Sequence, residues 1–472
     1  MSKKYITTTL PYVNADPHIG YAWEVVRADV WARFQRLAGN EVFFNVGTDE
    51  HGLKIFQRAQ ELGLAPQAYC DQQVQKWRDL GRALNLSFDN FIRTTDAHHV
   101  KAAQEFWGRV KANGHIYKKV YKAKYCVGCE LEKTESELVD GKCPLHPNRD
   151  LDIIEEENYF FRFSDFQQKL LELYDKNPDF VVPAKRFNEV KKFTEMGLQD
   201  FSISRLKAKM PWGVSVPDDA NQVMYVWFEA LVNYISAIGW PVDMAKFNDW
   251  WPAVQVAGKD NLRQQSAMWQ AMLMAVNLPP SKQVFINSFL TSNGQKMSKS
   301  LGNTISPLEL VEKFGVDGSR YILACLNSFS EDINITWEGL TEKYNADLAN
   351  GLGNLVSRVF NIIEKNFDGK VEAKKAEIEI AQEMEELRFS DAIEKIKEKI
   401  DWANKYIDTV KLWDLVKTDK EKSEKVSGEL LGVIVAVGES LQSIMPKTAK
   451  EILDRARADK IQKGEGLFAR IK

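Results

Sequence analysis

Hydrophobic and polar positions change their period along the chain, and the changes divide it. Tyr5-Ile6-Thr7-Thr8-Thr9-Leu10 is apolar and β-branched and stops at Pro11, which predicts a buried strand. A turn rich in Pro, Asn and Asp over 11–17 precedes a helix that opens at His18-Ile19-Gly20-Tyr21 and runs to Leu37. The next strand is expected over Glu41–Gly47 and ends in the polar cluster Gly47-Thr48-Asp49-Glu50-His51-Gly52. Helices near 53–62 and 66–84 then lead to a short strand at Asn90–Arg93. Strand and helix alternating in this way predict a parallel, doubly wound α/β sheet. Such sheets bind ligands beyond the C-terminal strand ends, beside helix N-termini. The clusters around His18 and Asp49 both fall at such ends, so one pocket assembled from two loops is expected.

From Tyr117 to Trp212 the alternation lapses, and this segment carries Cys126-Val127-Gly128-Cys129 and, after thirteen residues, Cys143-Pro144-Leu145-His146. Two such hooks supply the four soft ligands of a tetrahedral zinc knuckle: Cys126, Cys129, Cys143 and His146. Four protein ligands close the coordination shell, so one structural Zn2+ is expected in an insertion that interrupts the sheet. Sheet character returns at Gln222–Phe228, followed by a helix over Glu229–Ile238. A strand at Val254–Ala257 runs into Gly258-Lys259-Asp260, and a helix over 261–276 and a strand at Val284–Ile286 follow. Ser306-Pro307-Leu308-Glu309 reads as a capping box with proline at the first helical position. Beyond Glu338 the pattern is helical throughout. Leu348, Leu352, Leu355, Val359 and Ile362 form one apolar stripe, and Ile393, Ile396, Ile400, Ala403, Ile407 and Val410 another. The expected division is 1–116 and 221–290 for the two halves of the sheet, 117–220 for the insertion, 291–340 for connecting elements, and 341–472 for a helical bundle.

Composition narrows the classes. A chain of 472 residues, 44% hydrophobic and 27% charged, suits a globular protein of several domains. The apolar run Leu430–Val437 is too short to span a bilayer. Met1-Ser2-Lys3-Lys4 leads straight into a strand, so a cytoplasmic protein with no membrane contact is expected. Net charge is −3, so a nucleic-acid partner would have to be met by local patches. The last histidine is His146, which confines imidazole chemistry to the first third of the chain.

In Asn293-Gly294-Gln295-Lys296-Met297-Ser298-Lys299-Ser300-Leu301-Gly302, two lysines and two serines alternate between glycines. Point charge, hydroxyls and a pliable backbone suit a loop that closes on an anion. The same composition is ordinary for a solvated surface turn.

The strand-end His18-Ile19-Gly20, the Lys296-Met297-Ser298-Lys299-Ser300 loop and the terminal bundle, taken together, resemble the class I aminoacyl-tRNA synthetases. Within that class the resemblance is to the methionyl-tRNA synthetase family and covers nearly the whole chain. It is carried by Leu10-Pro11-Tyr12-Val13-Asn14, Gly47–Gly52, Ser202-Ile203-Ser204-Arg205, Tyr225-Val226-Trp227-Phe228, Gly258-Lys259-Asp260 and Asn354-Leu355-Val356-Ser357-Arg358.

The resemblance implies a Rossmann-type catalytic domain split by the zinc-knuckle insertion and followed by an α-helical anticodon-binding bundle. It implies activation of L-methionine by ATP, with Mg2+, and transfer to the 3′ end of tRNA(Met). His18, Lys296 and Lys299 would act on the phosphates, and Gly20, Tyr21, Met297 and Ser298 would line the ATP site. Glu24, Gly258 and Asp260 would hold the adenosine, and Asp49 the α-ammonium. Leu10, Tyr12, Trp227, Ala230, Tyr234 and Gln265 would enclose the methionine side chain. Without the resemblance, aromatic residues after a strand read as ordinary core. Asn354, Arg358 and Trp413 would read the CAU anticodon, with a buried helix anchor as the plainer role for Trp413. A monomer is expected.

Four positions depart from the family pattern: Tyr21 for its second histidine, Glu229 for aspartate, Gln265 for a pocket histidine, and Leu412 for proline. They leave room for a divergent paralogue that activates another amino acid, or for a non-catalytic tRNA-binding relative.

Overall fold

Six parallel strands form the central sheet of the computed structural model. Their spatial order is Asn90–Arg93, Glu41–Thr48, Lys3–Thr8, Val254–Gly258, Gln283–Asn287 and Val181–Val182. The structure describes residues 2–129, 131–133, 137–292, 294–296, 304–327, 329 and 332–472, and only the backbone at 121–123, 131, 132, 154, 295 and 296. From Lys3–Thr8 the chain lays strands outward to one side and later fills the other side, where Val254–Gly258 pairs directly with Lys3–Thr8. The topological switch point lies between these two strands, with Thr8 in register with Val256.

The helix Ile19–Leu37 packs between this sheet and the helix Pro307–Cys325. It buries Trp23, Trp31 and even Arg27 along its length. A helix enclosed on all sides is a core element, and this one carries its N-terminus to the switch point. Ser306 caps Pro307–Cys325 by accepting from the Leu308 N–H, as the sequence there predicts.

Two arms, Ile116–Cys126 and Asp152–Phe161, pair antiparallel and carry the cysteine hooks at their tip. The insertion is not a separate excursion over 117–220, however. Val181–Val182 lies within that range, yet pairs in parallel with Val284 and Phe285 at the edge of the central sheet. The expected strand over Gln222–Phe228 also needs correcting. Asp219–Met224 is a strand, but it pairs antiparallel with Ser204–Leu206 in a small separate sheet. Val226–Ala230 is helical, and Phe228 packs edge-on against Phe106 and Trp107 at ring-centroid distances of 5.9 and 5.3 Å. An unbroken apolar run fits a buried strand and a buried helical turn equally, and contacts distant in sequence decided for the helix.

The C-terminal part is helical. Leu348, Leu352, Leu355 and Val359 are buried as the stripe predicts, with Ile363 rather than Ile362 continuing it. Arg320, wholly buried, joins this part to the sheet: it pairs with Asp29 at 2.7 Å and donates to the carbonyls of Leu84, Ser443 and Ile444. Among the described residues, no helix is long and apolar enough to cross a membrane.

Candidate active site

At the switch point His18 caps the first helix, its Nδ1 accepting from the Tyr21 N–H at 3.3 Å. One turn on, Glu24 is almost fully buried, and its Oε1 accepts from the Thr9 N–H at 2.7 Å and the Thr9 hydroxyl at 2.6 Å. Gly258, on the neighbouring strand end, leaves the gap into which Glu24 and Asp260 face. A Cβ there would stand 2.8 Å from Asp260 Oδ1 and 4.0 Å from Glu24 Oε2. Burial, with the Asp260 charge adding to it, pushes the Glu24 carboxyl up to about 8 against the hydrogen bonds from Thr9. Glu24, Gly258 and Asp260, far apart in the chain, therefore meet in one recess.

The loops after the first two strands are zipped together. The Asp49 N–H donates to the Pro11 carbonyl at 2.9 Å, and the Val13 N–H donates to the Asp49 carbonyl at 3.3 Å. Asp49 is buried, with the Thr94 hydroxyl 3.4 Å from its Oδ1. Next to it, Arg93 clamps Glu50 with two bonds of 2.7 and 2.8 Å, which rigidifies the loop. The two loops at the strand ends are thus joined directly.

The stretch expected to wall the methionine side chain is Val226–Ala230 and the turn that follows it. Ala230 and Tyr234 are buried, Trp227 is half-buried, and Leu10 and Tyr12, on the loop after the first strand, are half-buried. The Gln265 Nε2 donates to the Tyr234 hydroxyl at 2.7 Å, from a π-helical turn over Gln264–Met268.

Beneath the wall Glu229 is completely buried between two imidazoles: His51 Nδ1 on one oxygen and His99 Nε2 on the other, each at 3.0 Å. Burial opposes its charge, but the two histidines hold its carboxyl below the usual range. Spacing could not have brought out His99, which stands 130 residues from its partner. Thr9 is a second residue that sequence reasoning missed.

Tyr21 follows His18 by three residues. Its ring is buried against Trp77, with centroids 5.1 Å apart and planes at 84°, and desolvation raises its hydroxyl pKa. Of the Lys-Met-Ser-Lys loop, Met297, Ser298 and Lys299 lie outside the described residues, as does the Lys296 side chain. The Gln295–Lys296 backbone pairs antiparallel with Leu290–Ser292, just past the strand Gln283–Asn287. Gly294 makes the tight turn with φ of 72°, a conformation in which glycine alone is unstrained.

A family model described as class I tRNA synthetases (M) matches residues 4–150 and 148–360. The chain is 42% identical to the methionine–tRNA ligase of Thermotoga maritima over 96% of its own length and 75% of that protein's. It is also 42% identical to the methionine–tRNA ligase of Rickettsia bellii, over 96% and 92% of the two chains. This chain belongs to the methionyl-tRNA synthetase family. A solved Mycobacterium tuberculosis methionyl-tRNA synthetase in complex with methionyl-adenylate superposes with a TM-score of 0.92 at 36% identity, covering all of both chains.

The knuckle expected for a member of this family is assembled. The ligand atoms of Cys126, Cys129, Cys143 and His146 all lie within 4.8 Å of one another. Cys129 Sγ is 3.4 Å from Cys143 Sγ and 3.3 Å from His146 Nδ1, and Cys126 Sγ is 3.7 Å from the same nitrogen. A tetrahedral zinc ion sets such edges at about 3.5–3.8 Å, given its bond lengths to sulfur and nitrogen. The four residues therefore fit that ion. Gly128 leaves room for the imidazole, since a Cβ there would meet the His146 ring at 2.4 Å. The knuckle leans on the pocket: Lys54 donates to the Gly128 carbonyl at 2.6 Å, and its ammonium stands 5.7 Å from the centroid of the Tyr12 ring.

In the bundle, Asn354, Arg358 and Trp413 share one exposed face. The Arg358 guanidinium lies 5.9 Å from the Trp413 ring, and Arg358 pairs with Asp408. Asn354 donates to Asn404 at 3.2 Å. Trp413 is 43% exposed, while Leu412 beside it is fully buried. Leu412, not the tryptophan, anchors that helix end.

Proposed function

We propose that this chain is a methionine–tRNA ligase, which activates L-methionine with ATP and transfers it to the 3′ end of tRNA(Met). The carrying observation is the convergence of Asp49, the Glu24–Gly258–Asp260 recess and the Tyr12–Trp227–Tyr234 wall at one switch point. Activation is attack of the amino-acid carboxylate on the α-phosphorus, with pyrophosphate leaving, so the protein chiefly positions reactants and neutralises phosphate charge.

Asp49 accepts the α-ammonium and so fixes which end reacts. Glu24, Gly258 and Asp260 take the adenosine. A Glu24 carboxyl that keeps its proton at neutral pH can donate as well as accept toward a ribose hydroxyl. His18 meets the phosphates at the exposed helix start, with Gly20 allowing the close approach and Tyr21 supporting the turn from below. Lys296 and Lys299, with Met297 and Ser298, close on the leaving pyrophosphate. Mg2+ arriving with ATP adds positive charge there. Leu10, Tyr12, Trp227, Ala230, Tyr234 and Gln265 enclose the thioether, a polarisable group suited to an aromatic pocket.

The knuckle holds one structural Zn2+ and braces the pocket through Lys54. Asn354, Arg358 and Trp413 read the CAU anticodon by base-edge bonds and stacking, and the enzyme works as a cytoplasmic monomer.

Amino-acid-dependent exchange of pyrophosphate into ATP tests the reading across all amino acids. Exchange driven by methionine is the expected result. Exchange driven by a different amino acid would make the chain a paralogue with altered substrate choice, and exchange with none would make it a non-catalytic tRNA-binding relative.

A further inference from the structure

Glu229 has no part in the roles above, yet it is the wholly buried centre of a polar cluster beneath the pocket wall. Burial opposes its charge, but His51 and His99 hold the carboxyl below its usual range, so it is ionised at neutral pH. An ionised carboxylate only accepts hydrogen bonds, so His51 Nδ1 and His99 Nε2 each carry a hydrogen toward it, at 3.0 Å. In a neutral His99 ring the other nitrogen accepts, and the Ser236 hydroxyl stands 3.0 Å from it. Glu229 and Ser236 both lie on the wall stretch, in Val226–Ala230 and Asn233–Ser236. His99, in the first turn of the helix Ala97–Ala112, therefore holds that stretch at two points.

The other side of the cluster is equally fixed. The His51 ring packs on Trp212 with centroids 5.4 Å apart, and the Trp212 Nε1–H donates to the Glu50 carbonyl at 2.6 Å. The Gly52 N–H donates back to the Trp212 carbonyl at 3.1 Å. Glu50 is held by Arg93 and by the hydroxyls of Thr48 and Thr95, at 2.7 and 2.6 Å. Asp49 stands two residues before His51, and Ala230 directly follows Glu229. The His51–Glu229 bond is thus a strut between two rigid bodies, one bearing Asp49 and the other Ala230 and Tyr234.

We infer that Glu229 is a positioning residue that fixes, through His51 and His99, the distance from Asp49 to the wall, and so limits the length of side chain that the site accepts. The inference rests on the proposed methionine activation, with Asp49 at the α-ammonium and the wall on the side chain. A wall held by apolar contact alone slides at little cost. Displacing this one would strip a buried carboxylate of a hydrogen-bond donor, which is far more costly.

The test compares methionine with ethionine, one methylene longer, by kcat/KM in pyrophosphate exchange. The parent should prefer methionine by about tenfold or more, the discrimination that one methylene supports in a packed pocket. Glu229→Ala cuts the strut and should lower that preference about five- to tenfold, chiefly by admitting ethionine. His51→Ala cuts it from the loop side and should do the same, which keeps the test open should Glu229→Ala fail to fold. The double variant should lose no more than either single one, because both act on one strut. Glu229→Gln keeps the span, since a neutral imidazole can turn its bare nitrogen to the amide, and its preference should stay within about twofold of the parent's. Methionine and ethionine falling in equal proportion would make the cluster merely structural and overturn the inference. So would Glu229→Gln losing as much as Glu229→Ala, which would assign the effect to charge, or losses that multiply in the double variant. A parent that activates methionine but uses ethionine equally well overturns the strut alone. A parent without any methionine-dependent exchange overturns the activity and the strut together.

Discussion

Glu24 keeps a carboxyl in the recess beside Gly258 and Asp260, in a setting that favours its neutral form. Its folded value of about 8 stands above the ordinary 4.5, so between those pH values the folded chain holds a proton that the unfolded chain has released. Stability from this group is fully present below 4.5 and is lost as pH rises to about 8. The loss should be on the order of 5 kcal/mol. Glu24→Gln should abolish this slope, so urea melts taken below and above the window should differ less in the variant than in the parent. Tyr21 bears on the same site differently. Its sequence position suggested a tyrosine among the phosphates, but a large, mostly apolar ring gains more by packing on Trp77 than by standing in water. Under the proposed function the phosphate charge falls to His18 and the loop lysines. Lys299→Ala should accordingly depress adenylate formation in single-turnover assays far more than it weakens methionine binding, because its contacts tighten as charge develops.

At the level of elements, the knuckle and the wall illustrate opposite degrees of legibility. Both ligand hooks of the knuckle are local: Cys126 and Cys129, like Cys143 and His146, are separated by two residues, so chain geometry alone brings each pair together. Replacing Cys126 and Cys129 by serine should release one equivalent of zinc in metal analysis and speed hydrogen exchange along Ile116–Cys126 and Asp152–Phe161. Unchanged exchange in the arms would mean that they stand without the ion. The wall reads as a strand in the sequence because Val226 and Phe228 carry no period of their own, and their partners Phe106, Trp107 and Phe161 are distant in sequence. Glu229 sits in that short helix with both oxygens engaged by His51 and His99, which ties the wall to the Asp49 loop. Val181–Val182 was equally hidden. Two residues make no pattern, and only the free edge of Gln283–Asn287 gives them a place.

For the molecule as a whole, the bundle and the sheet share one core, and buried cations join them. Arg320 bridges Asp29 to three carbonyls. Arg27, also buried, lies 4.7 Å from the Phe285 ring and 4.9 Å from Phe389. Arg320→Ala would leave Asp29 buried without this partner and should cost about 3–5 kcal/mol in equilibrium unfolding. The opposite end of the bundle should be separable from the chemistry. Trp413 is exposed, so Trp413→Ala should weaken aminoacylation of tRNA by about tenfold or more while sparing pyrophosphate exchange. Equal loss of both activities would assign the tryptophan a structural role instead.

The sequence by itself determined what short-range geometry controls. Strand–helix alternation specified a doubly wound sheet, the ligand hooks specified a metal knuckle, and Ser306-Pro307 specified a helix start. Each of these depends on bond geometry across a few neighbouring residues, which nothing distant can easily override. Tertiary structure alone decided the contacts between groups far apart in the chain. It raised the Glu24 carboxyl by enclosing it near Asp260, set Glu229 between two histidines, and turned Tyr21 inward. Burial and hydrogen-bond polarity are properties of the packed whole: a buried polar group must take the partner that the surrounding fold presents, and no local pattern records which one that is.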